Sequence, residues 1–517
     1  MAIDNRVVET TYGPVRGIAP GLTGDRTRAW KGIRYAAPPV GGLRFRVPEP
    51  PQRWTEVADA TRFGPVCPQP SFANFRIDLG AAPSEDCLRL NVWAPADAEP
   101  GDRKPVMVWL HGGAYILGSS SQPLYDGRRL AGSGVVVVTV NYRLGALGFL
   151  DLSSFNTARR RFDSNIGLRD VLAALGWVRD NIAAFGGDPG NVTLFGESAG
   201  AGIVTTLLAV PAAEGLFARA IAQSSPATSV YDQDRARHVA MRVLDTLGID
   251  PSDAHRAHDV PAAALVAASN DVFNEVPARN PGRLAFVPIV DGILLDDYPV
   301  KTAQEGRSNP VPLIIGTNKH EAALFRLMRS PLVPLTSHAF ASMFNQIAAE
   351  QPDVQLPTEE QIASVYSRRR PKAKMLSIAT DVGFRLPAVW LAEGHSRVAP
   401  VYIYRFDYST PLLKLLLIGA AHATELPFVW GNLGAPKDPT LKLGGAKTAK
   451  AVSGRMRTRW INFATHSEPA GAPGEPEWLP YRDDDRACLI IDKRDAVAHD
   501  VDAHILSAWG RQMVSFR

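Results

Sequence analysis

Short, continuous apolar runs alternate along the chain with stretches in which apolar residues recur at helical spacing. The runs are rich in β-branched residues and predict buried strands, at Pro105–Leu110, Val135–Tyr142, Val192–Phe195, Arg219–Ser224, Pro312–Asn318 and Val401–Tyr408. The helical spacing predicts helices at Gly167–Ala184, Ala199–Leu208, Asp232–Leu247, much of Ser337–Leu391 and Val452–Ala464. This alternation predicts an α/β fold, with a central, mostly parallel twisted sheet and helices on both faces.

The organisation of the chain favours one domain over separate modules. Its 517 residues are 45% apolar, which is ample for a large core. They contain no internal repeat, low-complexity segment or long linker. We expect a single catalytic domain over residues 1–517, with a helical insertion or lid at about 325–400.

Charge and hydropathy argue against nucleic-acid and membrane partners. The net charge is only +4, and no aromatic residues interleave with the densest basic run, Arg368–Arg370. The N-terminal MAIDNRVVET lacks the pattern of a secretory signal. The strongest apolar run, Leu412–Ala421, is interrupted by Lys414 and is shorter than the roughly 20 residues of a membrane span. We expect a cytoplasmic protein that neither binds nucleic acid nor spans a membrane.

The three cysteines, Cys67, Cys87 and Cys488, do not have the spacing of a zinc site. In a cytoplasmic chain they are expected to be reduced thiols. The sequence thus predicts no metal and no cofactor.

The segment FGESAG, Phe195–Gly200, joins a predicted strand to a predicted helix. A sharp reversal there forces Ser198 into a strained backbone conformation and brings neighbouring segments close, so glycines are needed on both sides. The turn exposes the serine hydroxyl at a helix N-terminus, which favours developing negative charge. A tight turn with an ordinary serine is the alternative, but the strand-turn-helix context favours a nucleophile.

A serine nucleophile needs a base to take its proton and a carboxylate to orient that base. Enzymes with this elbow place them in the order serine, acid, histidine. Glu321 is the favoured acid, because it follows the strand Pro312–Asn318 at the edge where sites in α/β sheets collect. Asp291 competes with it, although its Asp-Gly pair is typical of a plain turn.

Five histidines are candidates for the base: His338, His395, His422, His466 and His499. We favour His422, which lies in a small-residue loop after the strand Val401–Tyr408. His395 and His466 lie in or beside helix ends, where a solvent-facing or capping histidine is ordinary.

The segment HGGAY, His111–Tyr115, follows the strand Pro105–Leu110 and predicts an oxyanion hole. Its small residues let the main chain approach a substrate. The N–H groups of Gly113 and Ala114, with that of Ala199, can then converge on one oxygen. A glycine turn without function is the alternative.

Taken together, these segments resemble the type-B carboxylesterases, the branch of the α/β-hydrolases that includes cholinesterases and bacterial para-nitrobenzyl esterases. The resemblance covers nearly the whole chain, in the segments KGIRYAAPPVGGLRF, EDCLRLNV, HGGAY, NYRLGALGFL, FGGDPGNVTLFGESAG, RAIAQSS, GTNKHE and HATELPFVWG. It implies an α/β-hydrolase fold with helical insertions over the site. It also implies a serine esterase that acts on a small-molecule ester and water, as a monomer or small homo-oligomer.

The resemblance assigns roles to individual residues. It implies Ser198 as nucleophile, Glu321 as acid and His422 as base, with Gly113, Ala114 and Ala199 as the oxyanion hole. It further implies that Ser224 supports the triad by a hydrogen bond, with a plain strand-end serine as the alternative. Glu197 matches a recurrent acid of the active-site gorge, or is a solvated residue of the elbow.

Two further features follow from the comparison with this family. The resemblance implies a disulfide between Cys67 and Cys87, against the expectation of reduced thiols. Arg89, in EDCLRL, departs from the usual aromatic or hydroxyl residue, which puts the local packing in doubt.

The substrate is expected to be a small to medium apolar or aryl ester. The loop between Cys67 and Cys87 lacks the tryptophan that stacks on choline in cholinesterases, although Phe72 and Phe75 could partly replace it, so choline esters are disfavoured. The run PLLKLLLIGAA before His422 either lines the gorge mouth or forms a buried packing helix, the commoner fate of leucine runs. Carbamate or amide hydrolysis by the same triad is the alternative chemistry, and a non-catalytic interaction protein is a further alternative.

Overall fold

The computed structural model describes residues 6–21, 26–71, 77–158, 160–352, 354, 356–367, 370–434, 440–511 and 513. Within these residues the strands are β1 (Val7–Thr10), β2 (Gly13–Arg16), β3 (Thr27–Arg34), β4 (Ala58–Asp59), β5 (Arg89–Pro95), β6 (Lys104–Leu110), β7 (Val136–Val140), β8 (Gly187–Glu197), β9 (Arg219–Gln223), β10 (Leu313–Asn318), β11 (Val401–Phe406), β12 (Ala487–Ile491) and β13 (Ala496–His499). A small sheet has the order β1-β2-β4, and the main sheet has the order β13-β12-β11-β10-β9-β8-β6-β7-β5-β3.

The main sheet is parallel through its centre. Each pair from β7 to β12 in that order is parallel. The flanking strands β5, β3 and β13 each pair with their inner neighbour in the antiparallel sense. The carboxyl ends of β6, β8, β9, β10 and β11 therefore meet at one edge of the sheet.

The α-helices of the described residues connect and cover these strands. In chain order they are α1 (Arg128–Ala131), α2 (Ile166–Asn181), α3 (Ala199–Leu207), α4 (Gln233–Thr246), α5 (Ala262–Arg279), α6 (Pro299–Gln304), α7 (Ala322–Leu327), α8 (Ser337–Glu350), α9 (Glu359–Tyr366), α10 (Pro371–Thr380), α11 (Leu386–His395), α12 (Pro411–Leu415), α13 (Leu426–Trp430), α14 (Ala446–His466) and α15 (Ala503–Trp509). A π-helical turn, Asp381–Arg385, joins α10 to α11.

Burial of the main sheet on both faces explains its continuous apolar strands. In β6, Val106, Val108 and Leu110 pack into a core on one face. Met107 and Trp109 pack into a second core on the other face. Because successive side chains of a strand point to opposite faces, both sets must be apolar when helices cover both sides.

The predicted α/β architecture is confirmed, and the six predicted strands correspond to β6 through β11. The boundaries differ most at β8, which begins at Gly187 rather than at Val192. The helix α5 and the antiparallel strands β3, β5 and β13 were not predicted. In α5 the helical spacing is weakened by alanines and by Pro277 inside the helix.

The stretch that has the length and composition of a membrane span is not the apolar run Leu412–Ala421 that the sequence singled out. Among the described residues, the helical stretch Lys372–His395 alone is long and apolar enough to cross a membrane. Its most apolar part is 78% buried inside the protein, so its apolar side chains are occupied by packing. Arg370, before this stretch, is exposed, whereas Arg368 and Arg369 lie outside the described residues.

The run before His422 is not a buried packing helix. Only Pro411–Leu415 is helical, and Leu415, Leu416 and Leu417 have exposed fractions of 69%, 54% and 82%. A helix this short, followed by Leu417 with a φ of 56°, does not present a continuous face to the core.

A buried ion pair fastens α2 to the chain that follows β7. Arg143 donates from Nε to Asp170 Oδ2 at 2.8 Å and from Nη2 to Asp170 Oδ1 at 2.6 Å. The side chains of Arg143 and Asp170 are 3% and 0% exposed. Each charge is stable there only because the other is present.

We predict that Asp170→Ala lowers the free energy of unfolding by about 3 to 5 kcal/mol, because it leaves the Arg143 guanidinium buried without a counter-charge. Urea unfolding of the purified variant measures this loss. Asp180→Ala is the matched control, since Asp180 lies on the same helix in an exposed pair with Arg179 and is expected to cost less than about 1 kcal/mol. Equal losses in the two variants would contradict the prediction.

Candidate active site

Ser198 occupies the sharp turn between β8 and α3. Its backbone has φ 55° and ψ −124°, a conformation that is strained for a residue with a side chain. Its N–H donates to Gln223 O at 2.9 Å, which anchors the turn to the neighbouring strand β9. A Cβ at Gly200 would lie 2.1 Å from Leu110 O, so α3 can start this close to β6 only with glycine at that position. The turn has the geometry predicted from FGESAG.

The imidazole of His422 lies between Ser198 and Glu321. Its Nε2 is 2.8 Å from Ser198 Oγ, and its Nδ1 is 2.7 Å from Glu321 Oε2. With Nδ1 protonated, the ring donates to the carboxylate and offers the lone pair of Nε2 to the serine hydroxyl. The structure thus brings together the three side chains that the sequence singled out.

Hydrogen bonds between the loops after β10 and β11 fix the positions of Glu321 and His422 relative to each other. His320 N–H donates to Ala420 O at 2.8 Å, and the Asn318 side chain donates to Ala421 O at 2.7 Å. His422 N–H in turn approaches Glu321 O at 3.4 Å. These bonds tie the segment that carries the imidazole to the segment that carries its carboxylate partner.

The Glu321 carboxylate is fully buried and has donors on both oxygens. Its Oε1 accepts from Ser224 Oγ at 2.6 Å and from Asn318 N–H at 2.6 Å, while its Oε2 faces His422. A carboxylate that accepts several hydrogen bonds is stabilised in its charged form and fixed in position. Ser224 therefore makes the contact that the resemblance implied.

Two further carboxylates lie close to the imidazole. Glu197 Oε1 is 3.1 Å from His422 Nε2, and the Glu197 side chain is 4% exposed, so it is not a solvated residue of the elbow. Glu425 is fully buried and accepts from Gln223 Nε2 at 3.1 Å and Asn318 Nδ2 at 2.5 Å.

Burial and mutual charge shift the pKa values of this group. Burial is the main cause that raises the pKa of Glu197 to about 8, and nearby Glu425 and Glu321 add to it against the attraction of His422. Burial also raises the pKa of Glu425, helped by the charge of Glu321. Burial lowers the pKa of His422, but the charge of Glu197 and the hydrogen bond to Glu321 outweigh it and raise the pKa to about 9.

The main chain after β6 forms a tight turn beside the serine. Gly113, Ala114 and Tyr115 have φ values of 123°, 52° and 62°, and Ile116 N–H and Leu117 N–H both donate to Gly113 O at 3.0 Å. A Cβ at Gly112 would lie 3.0 Å from the Cβ of Ser198, so this turn packs directly on the elbow.

Three N–H groups remain available in this region. Among the hydrogen bonds of the described residues, none uses the main-chain N–H of Gly113, Ala114 or Ala199 as a donor. Free N–H groups beside a nucleophile are the donors that an oxyanion requires.

The alternative acid and bases occupy other environments. Asp291 Oδ1 accepts from the N–H groups of Ile293, Leu294 and Leu295 at 3.0, 2.8 and 3.0 Å, so Asp291 caps a turn. His338 and His466 are exposed, and exposed His499 pairs with Asp485.

His395 is fully buried, which the sequence did not predict. Its Nδ1 lies 2.8 Å from Ser308 Oγ and its Nε2 lies 2.8 Å from Val311 O. Both ring nitrogens are thus occupied by structural hydrogen bonds, and the expectation of a solvent-facing or capping histidine is wrong.

The disulfide that the family resemblance implied is absent. Cys67, Cys87 and Cys488 are all buried free thiols. Cys67 Sγ instead accepts from Leu144 N–H at 3.3 Å, and the neighbouring Cys67 thiol and burial raise the pKa of Cys87, which disfavours its thiolate. The proposed choline substitutes, Phe72 and Phe75, lie outside the described residues.

Sequence reasoning missed the aromatic residues that cover the imidazole. The rings of Phe325, in α7, and Phe384, in the π-helical turn, have centroids 5.1 and 4.8 Å from that of His422. Phe325 follows Glu321 by four residues, a helical spacing that could have indicated a shared face. The signal for Glu425 was its position three residues after His422, whereas nothing local indicated Phe384.

Comparison with known proteins places the chain among esterases. Residues 4–509 match the model of the carboxylesterase family. The chain is 40% identical to the para-nitrobenzyl esterase of Bacillus subtilis, over 96% of each chain. It is 32% identical to the human cocaine esterase, over 98% of this chain and 91% of that protein. Its fold matches a solved structure of a PNB esterase with a TM-score of 0.82 and 39% identity, over 97% of this chain and 99% of that one.

We predict that Gly200→Ala lowers the free energy of unfolding by roughly 1 to 3 kcal/mol, because the added methyl group collides with Leu110 O and pushes α3 away from β6. Thermal and urea unfolding measure the change. The control is Gly176→Ala in α2, where nothing lies within 4 Å of the added Cβ, and which we expect to stabilise by about 0.5 to 1 kcal/mol. A Gly200→Ala variant as stable as this control would contradict the close approach.

Proposed function

Because the chain belongs to the carboxylesterase family, we propose that Ser198, His422 and Glu321 are the catalytic triad of this carboxylic ester hydrolase. The family and the α/β-hydrolase fold establish the reaction class. One observation carries the assignment of residues: a single imidazole reaches Ser198 Oγ with Nε2 and Glu321 Oε2 with Nδ1, at 2.8 and 2.7 Å. This is the geometry of a serine nucleophile with an oriented general base.

In the first half of the proposed reaction, Nε2 of His422 takes the hydroxyl proton while Ser198 Oγ attacks the ester carbonyl carbon. The carbonyl oxygen becomes an oxyanion, and the N–H groups of Gly113, Ala114 and Ala199 donate to it. Each such donor is typically worth about 3 to 4 kcal/mol in the transition state. The protonated imidazole then gives its proton to the departing alcohol, and an acyl-enzyme ester on Ser198 remains.

In the second half, the same imidazole removes a proton from water, which attacks the acyl carbonyl. The oxyanion forms again in the same N–H donors, the bond to Ser198 Oγ breaks, and the proton on Nε2 returns to the serine. The carboxylic acid leaves. The Glu321 carboxylate keeps the imidazole oriented and stabilises the imidazolium that forms in each half.

We propose small to medium apolar or aryl esters as substrates. The support is the environment of the imidazole, which Phe325 and Phe384 cover with apolar surface. Such walls favour apolar acyl or alcohol groups over charged ones. The single catalytic domain of residues 1–517, its lid at about 325–400, the cytoplasmic location and the assembly state stay predictions.

We predict that Ser198→Ala lowers kcat/KM for para-nitrophenyl acetate by at least about 10⁴-fold, because the variant lacks the hydroxyl that His422 Nε2 contacts and that would form the acyl-enzyme. Circular dichroism and thermal unfolding check that the variant is folded. Ser133→Ala is the control, since that exposed hydroxyl bonds only within its own helical turn, to Arg129 O. Undiminished hydrolysis by folded Ser198→Ala would refute the proposed nucleophile.

The ester preference can be measured in the same experiment. The acetanilide with the same nitrophenyl group presents an amide in place of the ester. We expect the wild-type enzyme to hydrolyse the ester and to leave the anilide essentially intact. Comparable rates on the two would favour the amidase alternative.

We predict that Glu197→Gln moves the acid limb of the kcat/KM profile to lower pH. Only the neutral imidazole is a base, so activity rises as the pH passes the pKa of His422, which the charge of Glu197 helps to raise to about 9. Removing that charge lowers the pKa, and the neutral form becomes available at lower pH. The measurement is kcat/KM from acidic to alkaline pH for both proteins.

Glu425→Gln serves as the graded control for this profile. Glu425 also raises the pKa of His422, but its effect is smaller than that of Glu197. We expect a shift in the same direction and of smaller size. An unchanged or upward-shifted limb in Glu197→Gln would contradict the proposed electrostatic role.

A further inference from the structure

A crevice lined by three arginines lies where β3 of the main sheet faces the small sheet. It has a volume of about 380 Å³, and its charged lining consists of Arg34, Arg53, Arg89 and Asp59. The volume lies within the range of small-molecule sites, roughly 300 to 1,000 Å³. None of these residues belongs to the proposed triad or oxyanion hole.

Two of the arginines share one carboxylate. Arg34 Nη2 and Arg89 Nη2 donate to the same oxygen, Asp86 Oδ2, at 2.5 and 2.6 Å. Arg89 also donates from Nη1 to Gly32 O at 3.0 Å. The two guanidinium groups are therefore held in fixed positions, yet Asp86 compensates only one of their two charges. Arg89 is the residue that departs from the usual family pattern.

Two arginines of the crevice carry donors without a partner among the described residues. Arg53 is exposed and forms no hydrogen bond or ion pair with any described residue. The Nε of Arg89 is buried and has no hydrogen-bond acceptor in the part of the chain that the structure describes. A donor fixed in this way is favourable only if water or a ligand supplies an acceptor.

Asp59 does not cancel this excess. Hydrogen bonds from Thr61 hold the pKa of Asp59 below its ordinary value, and the charges of Arg62 and Arg16 contribute to the same shift. Asp59 therefore carries one negative charge at the crevice. Among the lining residues, three guanidinium groups face one carboxylate.

The lining also offers an aromatic surface. Trp54 is half-buried, and its Nε1 donates to Pro14 O at 2.9 Å, which fixes the indole against β2. Ile33 lies in the same lining. A planar apolar group can pack here while an acidic group attached to it reaches the arginines.

We propose that this arginine crevice binds a small aromatic carboxylate. Its carboxylate accepts hydrogen bonds from Arg53 and from the free donors of Arg34 and Arg89, because the guanidinium fork matches carboxylate geometry. Its ring packs against Trp54 and Ile33. The arginine crevice is distinct from the site proposed to hydrolyse esters. It binds the carboxylate and does not react with it.

Titration calorimetry with phthalate tests this proposal, on the intact Ser198→Ala chain so that binding is measured apart from turnover. We expect saturable binding at one site. Arg53→Gln should weaken it about threefold to tenfold, as expected for one partly exposed charge-assisted contact. Asp59→Asn should tighten it, because repulsion of the anion is removed. Arg161→Gln, an exposed arginine outside the crevice, should leave the affinity unchanged.

Activity provides the second readout. Without phthalate, Arg53→Gln should hydrolyse para-nitrophenyl acetate with the kcat and KM of the wild-type enzyme. Absence of saturable binding, or equal affinity of phthalate for the Arg53→Gln and parent proteins, would overturn the proposal. Phthalate could also inhibit ester hydrolysis competitively and to the same extent in the wild-type and Arg53→Gln enzymes. That result would place the anion in the active site and would overturn the proposal as well.

Discussion

The whole site depends on one rigid imidazole, that of His422, which must contact Ser198 and Glu321 at the same time. His422 is separated from Ser198 by 224 residues and from Glu321 by 101 residues, yet both lie within 2.8 Å of its ring nitrogens. Chain entropy disfavours such a meeting unless the backbone fixes all three positions beforehand. The parallel sheet does so, because β8, β9, β10 and β11 are successive neighbours and their carboxyl ends lie side by side.

Three buried carboxylates around one imidazole can coexist because their surroundings differ. Glu321 has Ser224 Oγ and Asn318 N–H as donors, which hold its carboxylate in place. Glu197 Oε1 accepts no hydrogen bond from the described residues and lies 3.1 Å from His422 Nε2, and burial raises the pKa of Glu197 to about 8. Chemically similar side chains thus have different surroundings in one site, and such differences separate the roles of acidic groups in general acid-base chemistry.

The parts of the site that the sequence predicted are those whose signals are local. FGESAG and HGGAY span a few residues each. Their tight turns require glycine or small side chains at fixed positions, and this requirement can be seen in the sequence. Glu321 and His422 were narrowed down by their position after predicted strands, which is also local information. Their pairing with Ser198 then rested on the chain order serine, acid, histidine and on the family resemblance.

The parts that were missed depend on contacts distant in the sequence. Phe384 touches His422 only because the helices after β10 fold back over the site, and no pattern near residue 384 indicates that. Burial of His395 depends on Ser308 and Val311 in the same way. The exposure of Leu415 to Leu417 was missed for the opposite reason, since an apolar run does not reveal whether a partner surface exists.

The π-helical turn Asp381–Arg385 brings the apolar stretch Lys372–His395 into contact with His422 of the proposed triad. It widens the helix at Phe384, and the turn is fixed by Tyr366 OH, which donates to Asp381 at 2.8 Å, and by Arg385, which donates to Asp502 at 3.2 Å. A phenylalanine held over the imidazole excludes water from that side of the ring. Exclusion of water strengthens each electrostatic contact beneath it. The long apolar stretch therefore serves the site through the low dielectric that it maintains around His422.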